Sequence, residues 1–438
     1  MTHLDVRHAR RRYLILLGLR WFPTGMLIPI MALLPLERGL TLPQLGLAAA
    51  IQGFVVLGLE LPTGGLSDSL GRKPVLLMAG VLSLVSLGLL FVADSFAMFA
   101  AVWAVQGVYR ALDSGPLDAW FVDAALADDP EADISRGLAG GGAVLGVAIA
   151  AGALIAGGLV ALDPFPSIEA LALPVLAAVV AQVVSLVALA FLLTEVRPAK
   201  GWHAMTQSVR RVPAVIGETF GLLRRSRVLM ALVAVELFWG FGMVTFESLL
   251  PVRLTEVTSG ADAAAAIMGP VGSAAWLASA LGAALVPLAS RRFGIALTAG
   301  AMRVLQGVTI VGMALFAGPV GVIAAFLANY VVHGASNPLH MTLLHQQVTS
   351  SHRSTVLSLN SMVSMPAGSF GLIALTALAD GTSVSTAMIV GAIVIAAAAP
   401  LYLPAMRAER HAAAAGADAD AAAAPIGSAT ATAAATSR

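Results

Sequence analysis

Twelve apolar runs fill most of this sequence, at 13–35, 44–66, 75–93, 96–124, 137–160, 170–193, 228–252, 263–288, 295–317, 319–345, 356–378 and 383–405. A helix needs about 20 such residues to cross a bilayer core. Hydrocarbon offers the backbone no water to bond with, so runs of this length must be helical. The expected fold is therefore all-α and integral to a membrane, with twelve transmembrane helices. Composition agrees: 11% of residues are charged and 58% are hydrophobic, against about 25% charged in soluble domains. The first run, from Tyr13, is too long for a signal peptide and has no small-residue cleavage site, so no cleavable leader is expected. Cysteine is absent, which removes disulfides and thiolate metal sites.

The longest polar stretch, 194–227, divides the runs six and six. The chain then reads as a first half (1–193), a central loop (194–227), a second half (228–405) and an Ala-rich tail (406–438) expected to be disordered. Lysines and arginines give the orientation. Twenty fall on the side of the termini, only Arg38 and Arg253 fall on the other, and Arg20, Arg110 and Arg303 lie inside runs. By the positive-inside rule both termini are cytoplasmic.

The halves look like repeats. LLPLE at 33–37 returns as LLPVR at 249–253, GM at 25–26 as GM at 242–243, SGPLD at 114–118 as SNPLH at 336–340, and LSDSLG at 66–71 as ASRRFG at 289–294. Each match is weak alone, but all four hold one register.

Between the second and third runs stands GGLSDSLGRKPVL, residues 64–76. It resembles the signature loop of the major facilitator superfamily, with Gly64, Leu66, Asp68, Gly71, Arg72, Lys73 and Leu76 on the pattern. Ser69 stands where a base is usual. The duplication and the central loop extend the resemblance along the chain, toward bacterial drug–proton antiporter-like members. Two other antiporter patterns are degraded. Trp103 stands where many exporters carry arginine four residues before Gly107, and Val147 replaces proline after Gly142 and Gly146. The glycines of GLAGGGAVLG serve close helix packing equally well.

The resemblance implies a substrate site between the halves near the midplane, lined by helices 1, 4, 7 and 10. It also implies a gating latch of Gly64, Asp68, Gly71, Arg72 and Lys73, with Asp123 at the end of the fourth helix as a further partner. The competing reading is that Arg72 and Lys73 only enforce topology, which needs neither the acid nor the glycines.

Ionisable residues inside membrane helices are costly and mark function by default. Arg20, Arg110, Asp113, Asp118, Glu236, Glu247, His333 and His340 fall on those same four helices, while Glu60 and Arg303 are exceptions. Arg110 and Asp113, three apart, share a helix face about 20 Å into the membrane. A carboxylate there is held between burial, which favours its protonated form, and arginine, which favours its charge. It can carry a coupling proton or be half of a static pair. Asp118, five residues beyond Asp113, is a second proton stop or a solvated vestibule acid, and the second reading is favoured. Glu236 and Glu247 lie among Phe238, Trp239, Phe241 and Phe246, which suits a lipophilic cation or plain packing. Arg20 can counter Glu236 or hold an anion. His333 and His340 read as cavity lining, and Arg303 as a side chain snorkelling to the nearer face.

These features point to a secondary transporter in the plasma membrane, exchanging protons for small amphipathic compounds by alternating access and acting as a monomer. A transporter of one metabolite, such as an anion held by Arg20 and Arg110, is the alternative. No cofactor, metal or nucleic-acid partner is expected. No nucleophile triad or phosphate loop speaks for an enzyme, no soluble domain for an ATP-driven pump, and a static scaffold has little use for a breakable latch.

Overall fold

The computed structural model describes residues 4–195, 226–347 and 353–411, with Gly217, Gly221, Leu223, Arg224 and Ala414. Most of the central loop and of the tail lies outside the described residues. Helices α1 (Val6–Leu27), α2 (Leu33–Glu37), α3 (Leu42–Leu70), α4 (Arg72–Val92), α5 (Phe96–Asp113), α6 (Pro116–Asp128), α7 (Ile134–Leu162) and α8 (Leu173–Leu192) form the first half. The second comprises α9 (Arg227–Glu247), α10 (Leu249–Val257), α11 (Ala261–Phe293), α12 (Ile295–Leu315), α13 (Pro319–Gln346), α14 (Arg353–Gly381) and α15 (Val384–Ala397). The described residues contain no strand. Every predicted run is occupied by a helix or a broken pair, and among the described residues ten spans are long and apolar enough to cross a membrane.

Three predicted runs divide into separate α-helices: the first, the fourth and the seventh, the last of these at Ser248. The first begins at Val6 and stops after Leu27, because Pro29 can neither donate nor admit the preceding turn; the chain re-forms as α2. The fourth, expected unbroken over 96–124, splits at Ser114-Gly115. Gly115 takes φ +90°, open to glycine, and Pro116 opens α6 at the first helical position, where its missing N–H costs nothing. The repeat partner has Asn337 in place of that glycine, and α13 runs through Pro338 without a break.

Helices α4 and α12 are closed at both ends by side chains from elsewhere. Gly71 (φ +92°) and Gly294 (φ +83°) turn the chain into them. Glu195 accepts from the backbone N–H of Arg72 and Lys73 (3.2 and 3.0 Å), and Glu409 accepts from that of Ala296 (3.2 Å). At the opposite ends Arg38 donates to the carbonyls of Leu90, Phe91 and Ala93, and Arg253 to that of Phe316. Arg38 and Arg253, the two bases that break the positive-inside pattern, are thus equivalent caps.

The halves meet through α3 against α14 and α7 against α11. At the end away from the termini, one apolar core runs through both, from Ile30 and Phe99 to Phe246 and Ile395. Toward the termini it divides into separate clusters, one around Tyr13, Trp120 and Phe121 and one around Leu232, Leu339 and Tyr402. Small residues permit the close end: Ser273 Oγ donates to the carbonyl of Ala150 (2.7 Å), and Ser369 Oγ to that of Ala50 (3.0 Å). Gly58 and Gly142, nearer the termini, have room for a Cβ with nothing within 4 Å. The cleft between the halves opens toward the termini.

A Cβ built on Gly53 lies 3.5 Å from that of Ser369, at the short end of the ~3.5–4.5 Å range for disulfides. In this cysteine-free chain, Gly53→Cys with Ser369→Cys should oxidise to a cross-link between the halves. Mass spectrometry of proteolysed protein would read it; a double variant that stays reduced under mild oxidant would contradict this packing.

Candidate functional site

The break between α5 and α6 organises the polar centre of the first half. It ends the helical ladder at Asp113, so carbonyls near the end of α5 look elsewhere for donors. Thr63 Oγ1 on α3 donates to Ala111 (3.0 Å), and Arg20 Nη2 on α1 donates to Asp113 (3.1 Å). Arg20 Nε also forms an ion pair with the Asp113 carboxylate. One guanidinium therefore holds both the backbone and the side chain of Asp113. Arg20 lies over the Trp21 ring at 5.2 Å. Beside the pair is a cavity of about 30 Å³, lined by Tyr109, Gln182 and Ser185 among others, with room for about one water.

This corrects two expectations. Asp113 pairs with Arg20 rather than with Arg110: both lie on α5, but Arg20 from α1 packs onto the buried carboxylate while Arg110 is exposed. Arg20 is therefore free neither to counter Glu236 nor to serve as an open anion site. Arg110 is exposed to the cleft, as is Glu247 from the second half, and the two charges lie within electrostatic reach of each other. The neighbouring wall is aromatic. Trp239 stacks on His333 (centroids 6.0 Å, planes 15° apart), and Tyr330 and Phe246 pack against the same ring at 5.7 Å.

Glu236 does not join that wall. It is buried within the second half, with Oε1 3.2 Å from His340 Nε2. His340 is 1% exposed and so is not cavity lining. Arg303, expected to snorkel, is 2% exposed and donates to Gln306 Oε1 (3.1 Å). Tyr402, Asn360 and Glu195 were not anticipated. Their partners lie about 60 or more residues away in sequence, and nothing local marked them.

At the terminal end, Asp118 is exposed and accepts from the Tyr13 hydroxyl (2.7 Å). Arg72 pairs with Asp123 and donates to the carbonyl of Ala119 (2.7 Å), while Lys73 Nζ donates to that of Ala190 (2.7 Å). All these contacts lie within the first half. The side chain of Asp68 and the surroundings of Gly64 lie outside the described residues.

The sequence profile of the Major Facilitator Superfamily matches residues 13–372. The chain belongs to this superfamily: it is a multi-pass membrane transporter of small molecules, not an enzyme. Among solved structures, a bacterial homologue of the human lysosomal transporter Spinster, inward-facing and occupied, superposes with TM-score 0.72 at 14% identity, covering 91% of this chain and 96% of that one. The nucleoside transporter NupG gives 0.71 at 11% identity, covering 90% and 98%. The human organic anion transporter MFSD10 (TETRAN) gives 0.59 at 16% identity, covering 91% and 99%. At these identities the likeness is one of fold. No curated protein matches the sequence.

Removing Arg20 would leave the Asp113 carboxylate buried without its counter-ion, a loss of about 3–5 kcal/mol. Arg20→Ala is expected to lower the thermal unfolding midpoint in detergent, and Arg20→Ala with Asp113→Ala to recover most of it. A double variant as unstable as the sum of the singles would show that the pair is not coupled.

Proposed function

We propose that this protein is a proton-coupled exporter of small amphipathic compounds. It acts as a monomer by alternating access, in a plasma membrane with both termini cytoplasmic. The observation that carries the reading is the placing of charge. Arg110 and Glu247, from opposite halves, are accessible in the cleft beside an aromatic wall, while Asp113 is held behind them by Arg20. A compound with an apolar ring and a polar end can stack on Trp239 and Tyr330 and direct its charge to Glu247 or Arg110. Asp113 can exchange its hold on Arg20 for a proton, because neutralising either partner removes the reason for the pair. With basic residues crowding the terminal side, the cleft seen here faces the cytoplasm, where an exporter loads.

The terminal charges fit a gate with a division of labour. Arg72 and Asp123 brace the α3–α4 turn within one half while the cleft stands open, so this pair is not itself the bar across the halves. Gly71 and Lys73 fix the turn. Closure then falls to the remaining residues of the motif, Gly64 and Asp68. The anionic-metabolite alternative loses support because Arg20 is already engaged, leaving Arg110 as the accessible arginine of the two.

Inside-out vesicles with an imposed proton gradient and a fluorescent pH reporter test the reading. Lipophilic cations or neutral aromatic compounds should dissipate the gradient with the parent protein, and Asp113→Asn should abolish this. Organic anions alone acting, or Asp113→Asn behaving as the parent, would defeat it.

A further inference from the structure

We propose that Glu236, His340, Tyr402 and Arg303 form a second proton-carrying site, sealed inside the second half and separate from Asp113. The proposal rests on the reading of the protein as proton-coupled. The four residues come from α9, α13, the segment following α15, and α12. Glu236 and Arg303 lie nine and eight residues from the starts of their helices, and His340 six from the end of its own. At 1.5 Å per residue all three are roughly 9–14 Å in from the terminal ends. None of the four is more than 4% exposed.

Their hydrogen-bonding capacities allow two arrangements, and in the first Tyr402 donates to His340. Arg303, which has donors only, lies near Tyr402, and any bond between them is one the phenolic oxygen accepts. The single Tyr402 proton is then free for His340 Nδ1, 3.0 Å away. That leaves the imidazole proton on Nε2, facing Glu236 Oε1 at 3.2 Å. The last link is close but poorly aligned, for Nε2 has no formed hydrogen bond. It is therefore the link that a small rotation makes or breaks.

The same chain has a second arrangement. One proton added to the Glu236 carboxylate gives an O–H that donates to Nε2. The imidazole then carries its own proton on Nδ1, directed at the Tyr402 oxygen, and the hydroxyl proton turns away. One proton is bound and no heavy-atom bond changes. The surroundings can serve both states. Arg303 Nε, Gln306 Nε2 and Asn360 Oδ1 are buried polar atoms without a hydrogen bond, unusual in a network serving structure alone. Facing Glu236, Arg303 on α12 supplies the positive charge, His340 on α13 and Tyr402 beyond α15 are the other titratable groups, and Asn360 on α14 is a neutral contact. Because the network ties four helices together, its protonation bears on how the second half packs.

Infrared difference spectroscopy on the full-length protein in liposomes, stepped in pH without substrate, reads the site directly. The parent should show a protonated-carboxyl stretch that Glu236→Gln removes and Asp113→Asn leaves. Glu236→Asp should keep a band, which guards against loss of fold. His340→Gln should displace its titration by about one pH unit or more. An unchanged spectrum in Glu236→Gln, or an unmoved titration in His340→Gln, would overturn the proposal. The vesicle assay on Asp113→Asn fails or succeeds independently of this result.

Discussion

A helix in hydrocarbon satisfies its own backbone everywhere except at its ends, and this protein's architecture hangs on how those ends are closed. Each half closes one transmembrane helix with charge at both termini: Glu195 and Arg38 on α4, Glu409 and Arg253 on α12. Carboxylates sit at positive helix starts and guanidinia at negative helix ends, where each is favoured by the helix dipole. The caps come from the chain after the last long helix and before the second, so each ties the edges of a six-helix half to its interior. Two units built this way can move as bodies.

The same constraint, left unsatisfied by design at one point, makes the polar centre. A glycine at 115 ends α5 early and frees carbonyls that Thr63 and Arg20 take up. The repeat has asparagine there, its helix continues, and its polar cluster is assembled elsewhere from Glu236, His340 and Tyr402. Duplicated halves have thus diverged into an accessible cleft with two opposed charges and two enclosed polar groups. Small residues between α3 and α14 and between α7 and α11 let the halves close at one end and part at the other.

Much of this was legible in the chain. Hydrophobic run length placed the helices, because the bilayer sets one length for all of them. The repeat register pairs Gly71 with Gly294, and both take a positive φ. The pairing Arg110–Asp113, drawn from helical spacing, failed because spacing sees one helix only: both lie on α5, but Arg20 from α1 takes the buried carboxylate while Arg110 is exposed. Snorkelling failed for Arg303 because Gln306, one turn on in the same helix, accepts from it in a buried position, close to the charge of Glu236.

By itself the sequence determined the all-helical membrane fold, its duplication and the helices that carry charge, since these follow from local hydrophobicity and from motifs within a few residues. Only the tertiary structure decided which charge meets which. Arg20 reaches Asp113 and His340 reaches Glu236 across about 90 and 100 residues of chain, because a buried charge takes the partner that packing brings within hydrogen-bond range and not the nearest one in sequence.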